Sequence, residues 1–222
     1  MDKSPAATIS EIKAELRLYM NGAASRAMRE RGLDYRLNFG VELPRLREIA
    51  SHYPKDHQLA QALWKEEVRE SKILAAMLQP VDSFLPEIAD IWVESIRNIE
   101  IADLTSMNLF QFLPYAPAKA FQWMADEREY VAVCGFRTAG RLLMKRGDMD
   151  ERSANELIDQ AISAFLSGTF HVRNAALSTL CIYMRGSEEH AFNVCLRVRP
   201  MKNSAIEAER LLFRAIEAEL DA

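Results

Sequence analysis

A chain of 222 residues can hold one large domain or one extended repeat array, and its formal net charge of −4 excludes nucleic-acid binding by bulk charge alone. Hydrophobic residues at 49% and charged residues at 27% are ordinary for a globular protein, and 8 Gly and 8 Pro are few enough to favour helices over turns. Cys134, Cys181 and Cys195 are odd in number and far apart, with no CxxC pair, so neither a disulfide framework nor a zinc site is expected, and apolar neighbours mark them as buried small hydrophobes.

Helical spacing of apolar residues runs through nearly every segment, and period-two alternation is almost absent. Thr8 or Ser10 is placed to cap a first helix reaching about Arg31, with Ile12, Leu16, Tyr19 and Met20 on one face and Gly32 at its end. Phe39-Gly40-Val41 reads as a loop, and Pro44 opens a helix to about Tyr53. Asp56 caps a helix carrying Leu59, Leu63 and Trp64. The next helix, VRESKILAAMLQ, ends before Pro80, and Asp82 and Pro86 introduce PEIADIWVESIRN. In this region Glu66, Glu67 and Glu70 alternate with Lys65, Arg69 and Lys72, which reads as a solvated face with i,i+4 pairs. Trp64, Trp92 and Trp123 fit apolar stripes and are assigned to the core.

The central stretch, Asn98 to Leu113, forms a helix apolar on two faces, as in a helix buried between neighbours. Asp103 is the one acid inside its apolar run. A carboxylate there must be bonded, paired or functional, because burying it bare is costly. It is either an N-cap accepting from Thr105 or Ser106, or a ligand-facing carboxylate. Pro114 and Pro117 then precede AKAFQWMADE, followed by a long helix from Tyr130, a helix from Glu151 to Phe165, Gly168, TFHVRNAALSTLCIYMRG, EEHAFNVCLRVR, and a last amphipathic helix from about Ser204 to Leu220 with Ile206, Leu211, Leu212, Ile216 and Leu220 on its apolar side.

Three of these segments resemble one another: RESKILAAMLQ, VAVCGFRTAGRLL and HVRNAALSTLCIYM. Small residues in mid-helix let neighbouring helices approach, and Ala75, Ala139 and Ala175 are expected at such contacts. The expected fold is therefore all-α: a right-handed α-α superhelix, or solenoid, of HEAT-like helical repeats with a concave face, spanning 1–222 as a single domain. A compact irregular bundle is the competing architecture.

No Gly-rich phosphate loop or hydrolase triad is readable, and His52, His57, His171 and His190 form no i,i+4 pair, so neither cofactor nor metal is expected. The best basic stripe is Arg137, Arg141 and Lys145, spaced by four on one helix face, with Arg146 following. It suits either a phosphate backbone or a solvated, C-terminal helix face. No apolar run has the length of a signal peptide or membrane span, and the chain reads as cytoplasmic.

Four stretches together resemble the AlkD-type DNA alkylation repair glycosylases built from HEAT-like repeats: YRLNFGVELPRLREIA, LAQALWKEEVRESKILAAMLQ, NIEIADLTSMNLF and EYVAVCGFRTAGRLL. The resemblance implies release of positively charged alkylated purines, such as 3-methyladenine and 7-methylguanine, from double-stranded DNA. In that family an aspartate stabilises the charge developing on the sugar, tryptophans contact the lesion by CH–π and cation–π attraction, and an arginine holds a phosphate. Asp103 matches the catalytic aspartate. Ile99 stands where the family has a tryptophan, Val133 where it has an arginine, and Ser178 where it has a second aromatic. Arg137, Arg141, Lys145 and Arg173 are the candidate nucleic-acid contacts. With only the aspartate kept, catalysis is expected to be weak or lost. The alternative is a non-catalytic helical-repeat scaffold for a protein partner.

Overall fold

The computed structural model describes residues 4–33, 35–146 and 149–220, and among them every regular element is a helix. Among the described residues the only β feature is an isolated parallel bridge between Leu37 and Val68. The contacts divide the chain into two compact units, Met1–Leu113 and Pro114–Ala222.

In the first unit, helix α1 (Pro5–Leu18) is capped by Ser4, and α2 (Gly22–Glu30) by Asn21. The single helix expected up to Arg31 is thus two. The Asn21 side chain accepts from the Ala24 amide, while the Asn21 backbone N–H donates to the Phe39 carbonyl, so a distant loop fixes the break. That loop can approach only because residue 40 is glycine. Gly40 has φ +73°, and a Cβ there would lie 2.2 Å from the Asn21 carbonyl oxygen.

Helices α3 (Leu43–Ser51), α4 (His57–Trp64), α5 (Arg69–Leu78) and α6 (Pro86–Ser95) follow their sequence signals: Pro sits in the first turn of α3 and α6, and Asp56 caps α4. Helix α7 (Ile99–Asn108) and a 3-10 turn (Phe110–Phe112) close the unit. The core centres on Trp92, whose ring stacks on Trp64 at 4.0 Å and meets the edge of Phe84. Both indoles have polar partners, Trp64 donating to Ser95 and Trp92 to Gln61. Those pairs share a separation of 31 residues, as does Arg69–Glu100 between α5 and α7. Helices α4 and α6 therefore repeat in parallel register, and α5 and α7 take up the same step.

The second unit contains α8 (Ala116–Met124), α9 (Glu129–Arg146), α10 (Glu151–Ser167), α11 (Phe170–Met184), α12 (Glu188–Val198), a 3-10 turn (Arg199–Asn203) and α13 (Glu207–Leu220). Gly135 allows α9 to lie directly on α8, since a Cβ there would sit 2.3 Å from the Met124 amide nitrogen. Helices α9 and α11 run parallel at a separation of 41 residues, seen at both Tyr130–His171 and Arg137–Ser178. The look-alike segments are α5, α9 and α11, and Ala75, Ala139 and Ala175 are all buried. On α13, Leu212 and Ile216 are buried and Leu211 and Leu220 exposed, while Ile206, expected on the same apolar side, is exposed and precedes the helix. Cys134 is buried, but Cys181 and Cys195 are only half-buried. Burial, with the Glu219 carboxylate alongside, pushes the Cys181 thiol up to about 11. No helix among the described residues is long and apolar enough to cross a membrane.

Candidate nucleic-acid interface

Asp103 is half-buried in the interior of α7. The capping role foreseen as one option is excluded, because Asn98 already caps this helix by accepting from the Ile101 amide at 3.0 Å. Ile99, where the family likeness has a tryptophan, is half-buried one turn before Asp103, and its aliphatic side chain offers no π face to a cationic base.

What positions α7 is a buried ionic cluster one turn from Asp103. Glu100 forms a two-pronged pair with Arg69 of α5, with Nε–Oε2 at 2.9 Å and Nη2–Oε1 at 2.6 Å. The Tyr35 hydroxyl donates to the same carboxylate at 2.5 Å. Arg69 Nη1 also donates to Glu70 and to the Val41 carbonyl, and Glu70 accepts from the amides of Phe39 and Val41. Arg69 is 3% exposed and Glu70 fully buried, which corrects the expectation of a solvated charged face. Helical spacing alone cannot reveal this. The Phe39–Val41 loop brings unpaired backbone amides into the core, and Glu70 satisfies them while Arg69 neutralises it. Burial opposes ionisation of Arg69, but Glu100 and then Glu70 outweigh it and raise its pKa. Burial likewise acts to raise Glu100, yet the bonds and charge of Arg69 carry it below its ordinary 4.5. Burial and the neighbouring Glu100 charge push Tyr35 upward.

A pH prediction follows from the lowered Glu100 pKa. Its contribution to stability is complete above about pH 4.5 and is lost as pH falls through the lower value of the folded state. The variant Glu100→Gln should be less stable at neutral pH and lose less stability on acidification. Thermal unfolding of both proteins between pH 7 and pH 3 checks this, and parallel acid limbs would refute it.

In the second unit, Arg137 lies on the half-buried face of α9 and its Nη1 is 3.4 Å from Ser178 Oγ on α11. Val133, the position matched to the family arginine, is completely buried in the helix stack. A guanidinium is therefore presented one turn further on, beside the residue that stands for the second aromatic. Arg141 is half-buried and Lys145 exposed on later turns of α9. The side chain of Arg146 lies outside the described residues. Arg173 belongs to a different side of α11: it donates to the Leu166 carbonyl at the end of α10 at 3.0 Å and stands 5.9 Å from the Phe165 ring. Trp64, Trp92 and Trp123 are buried, as core residues should be. Sequence reading missed the aromatic group Tyr130, Phe170 and His171. Its signal is the shared seven-residue step from Tyr130 to Arg137 and from His171 to Ser178, which has meaning only once α9 and α11 are known to pair.

The arrangement defines a class, the HEAT-like repeat DNA glycosylase fold. A solved structure described as "A new family of proteins related to the HEAT-like repeat DNA glycosylases with affinity for branched DNA structures" superposes with a TM-score of 0.80 at 15% identity, over 96% of this chain and 93% of that one. The model of the DNA alkylation repair enzyme family matches residues 12–180, and the chain belongs to that family. No curated protein matches it.

Proposed function

We propose that this protein binds DNA through the basic face of α9 and releases alkylated bases weakly or not at all. The observation that carries the reading is the Arg137–Ser178 contact. Where the family likeness calls for an arginine and an aromatic, the chain offers a buried valine and a serine, with a guanidinium set beside the serine. Such a group binds phosphate well but gives a lesion base no π surface. Arg137, Arg141 and Lys145 are the proposed phosphate contacts. Arg173 supports α10 from behind. Asp103 keeps the carboxylate matched to the family's catalytic aspartate, but with Ile99 beside it the site lacks the means to hold a cationic purine. Branched DNA is the preferred form in this reading, supported by the affinity attributed to the structural relative.

A scaffold for a protein partner is the second reading. It is favoured by a groove of about 250 Å³ between α12 and α13, with Phe192, Leu196 and Leu220 exposed along it, and by the net negative charge.

Base release from methylated duplex DNA tests the catalytic half of the proposal. The unmutated protein should liberate little or no 7-methylguanine or 3-methyladenine, and Asp103→Asn should not change that. Robust release that disappears in Asp103→Asn would make Asp103 catalytic and overturn the proposal.

A further inference from the structure

We propose that Tyr130, His171 and Phe170 form a stacking platform for an unpaired DNA base at the end of the basic face of α9. The inference rests on the DNA-binding reading and adds to it the part of the nucleic acid that is recognised.

The Tyr130 and His171 rings lie 6.0 Å apart at 34°, and Phe170 meets His171 edge-on at 5.6 Å. Phe170 is 73% exposed, so it fills no core. The platform is in register with the proposed phosphate contacts. Tyr130 and Arg137 are two turns apart on α9, His171 and Ser178 two turns apart on α11, and both cross-pairs keep the same separation. Two turns put about 10 Å between the aromatic group and the guanidinium. A base and the phosphate of a neighbouring nucleotide can span that gap together.

Charge assigns the base to the aromatic end. Glu129 stands beside Tyr130, its carboxylate accepting from the Thr169 hydroxyl at 2.5 Å. That negative charge repels phosphate and leaves the flat, uncharged face of a base as the suitable occupant. In a fully paired duplex the base faces are already stacked on one another. An unpaired base, as at a gap or branch point, is the form the platform can hold.

The test is a fluorescence titration of the full protein with two DNAs of equal length, one fully paired and one with a short gap of unpaired bases carrying 2-aminopurine. The unmutated protein should prefer the gapped DNA and change the emission of the reporter base on binding. Phe170→Ala and His171→Ala should each lower gapped-DNA affinity about tenfold, leave duplex affinity unchanged and abolish the emission change. Phe170 is exposed, so its variant should fold, and matching thermal unfolding confirms it. Equal losses on both DNAs, or no preference in the unmutated protein, would refute the platform while leaving general DNA binding intact. Absence of binding to either DNA would refute both. Self-association that Phe170→Ala abolishes, with gapped-DNA affinity unchanged, would assign the aromatics to a second copy and overturn the platform.

Discussion

Replacing Arg69 with methionine should lower the stability of the first unit by about 3–5 kcal/mol and its unfolding temperature by about 15 °C. The substitution keeps an apolar stem of similar length, so the loss reports charge and hydrogen bonding rather than volume. It takes the compensating cation from Glu70 and Glu100, and it removes the donor that holds the Val41 carbonyl. Glu70 would still accept from Phe39 and Val41, but as a buried carboxylate without its cation. The triple variant Arg69→Met, Glu70→Gln, Glu100→Gln should recover much of the loss, because no bare charge remains. Calorimetric unfolding of the three proteins measures this. A single variant as stable as the parent would mean that the cluster does not anchor the loop.

Reversing two charges on α9, Arg137→Glu with Arg141→Glu, should weaken binding to every DNA sequence by about a hundredfold at low salt. The slope of log affinity against log salt should shrink by about 2, since two fewer counterions are released. Sequence preference should not change, because phosphate contacts position a protein without reading bases. Arg173→Glu is the informative control. Its guanidinium is already bonded to the Leu166 carbonyl, so it should cost stability at the end of α10 and alter the salt slope little. Anisotropy titrations at several salt concentrations check both variants, and an unaltered slope in the α9 variant would remove that face from the account.

The helices were legible where their signals are local. Pro44, Asp56, Pro86 and Gly168 each mark a boundary that the structure keeps, because a cap or a missing amide acts within one turn. The division between α1 and α2 was hidden, since the bond that fixes it joins Asn21 to Phe39. Arg69 and Glu70 looked solvated for the same reason: their partners are loop amides and Glu100, some 30 residues away in either direction. The repeat escaped clear detection because its step is 31 residues between α4 and α6 and 41 between α9 and α11, so no single period runs along the chain. At the candidate interface, the basic spacing of Arg137, Arg141 and Lys145 was readable. The turning of Arg173 towards α10, and the aromatic group beside α9, were not, because both depend on which helices are neighbours.

Titration of the unmutated protein with branched DNA and with linear duplex, at two salt concentrations, tests the account most directly. It predicts measurable binding at low salt, tighter for the branched form, that weakens steeply as salt rises. No binding to either form at low salt, or an affinity indifferent to salt, would contradict it and leave the helical array as a scaffold for protein.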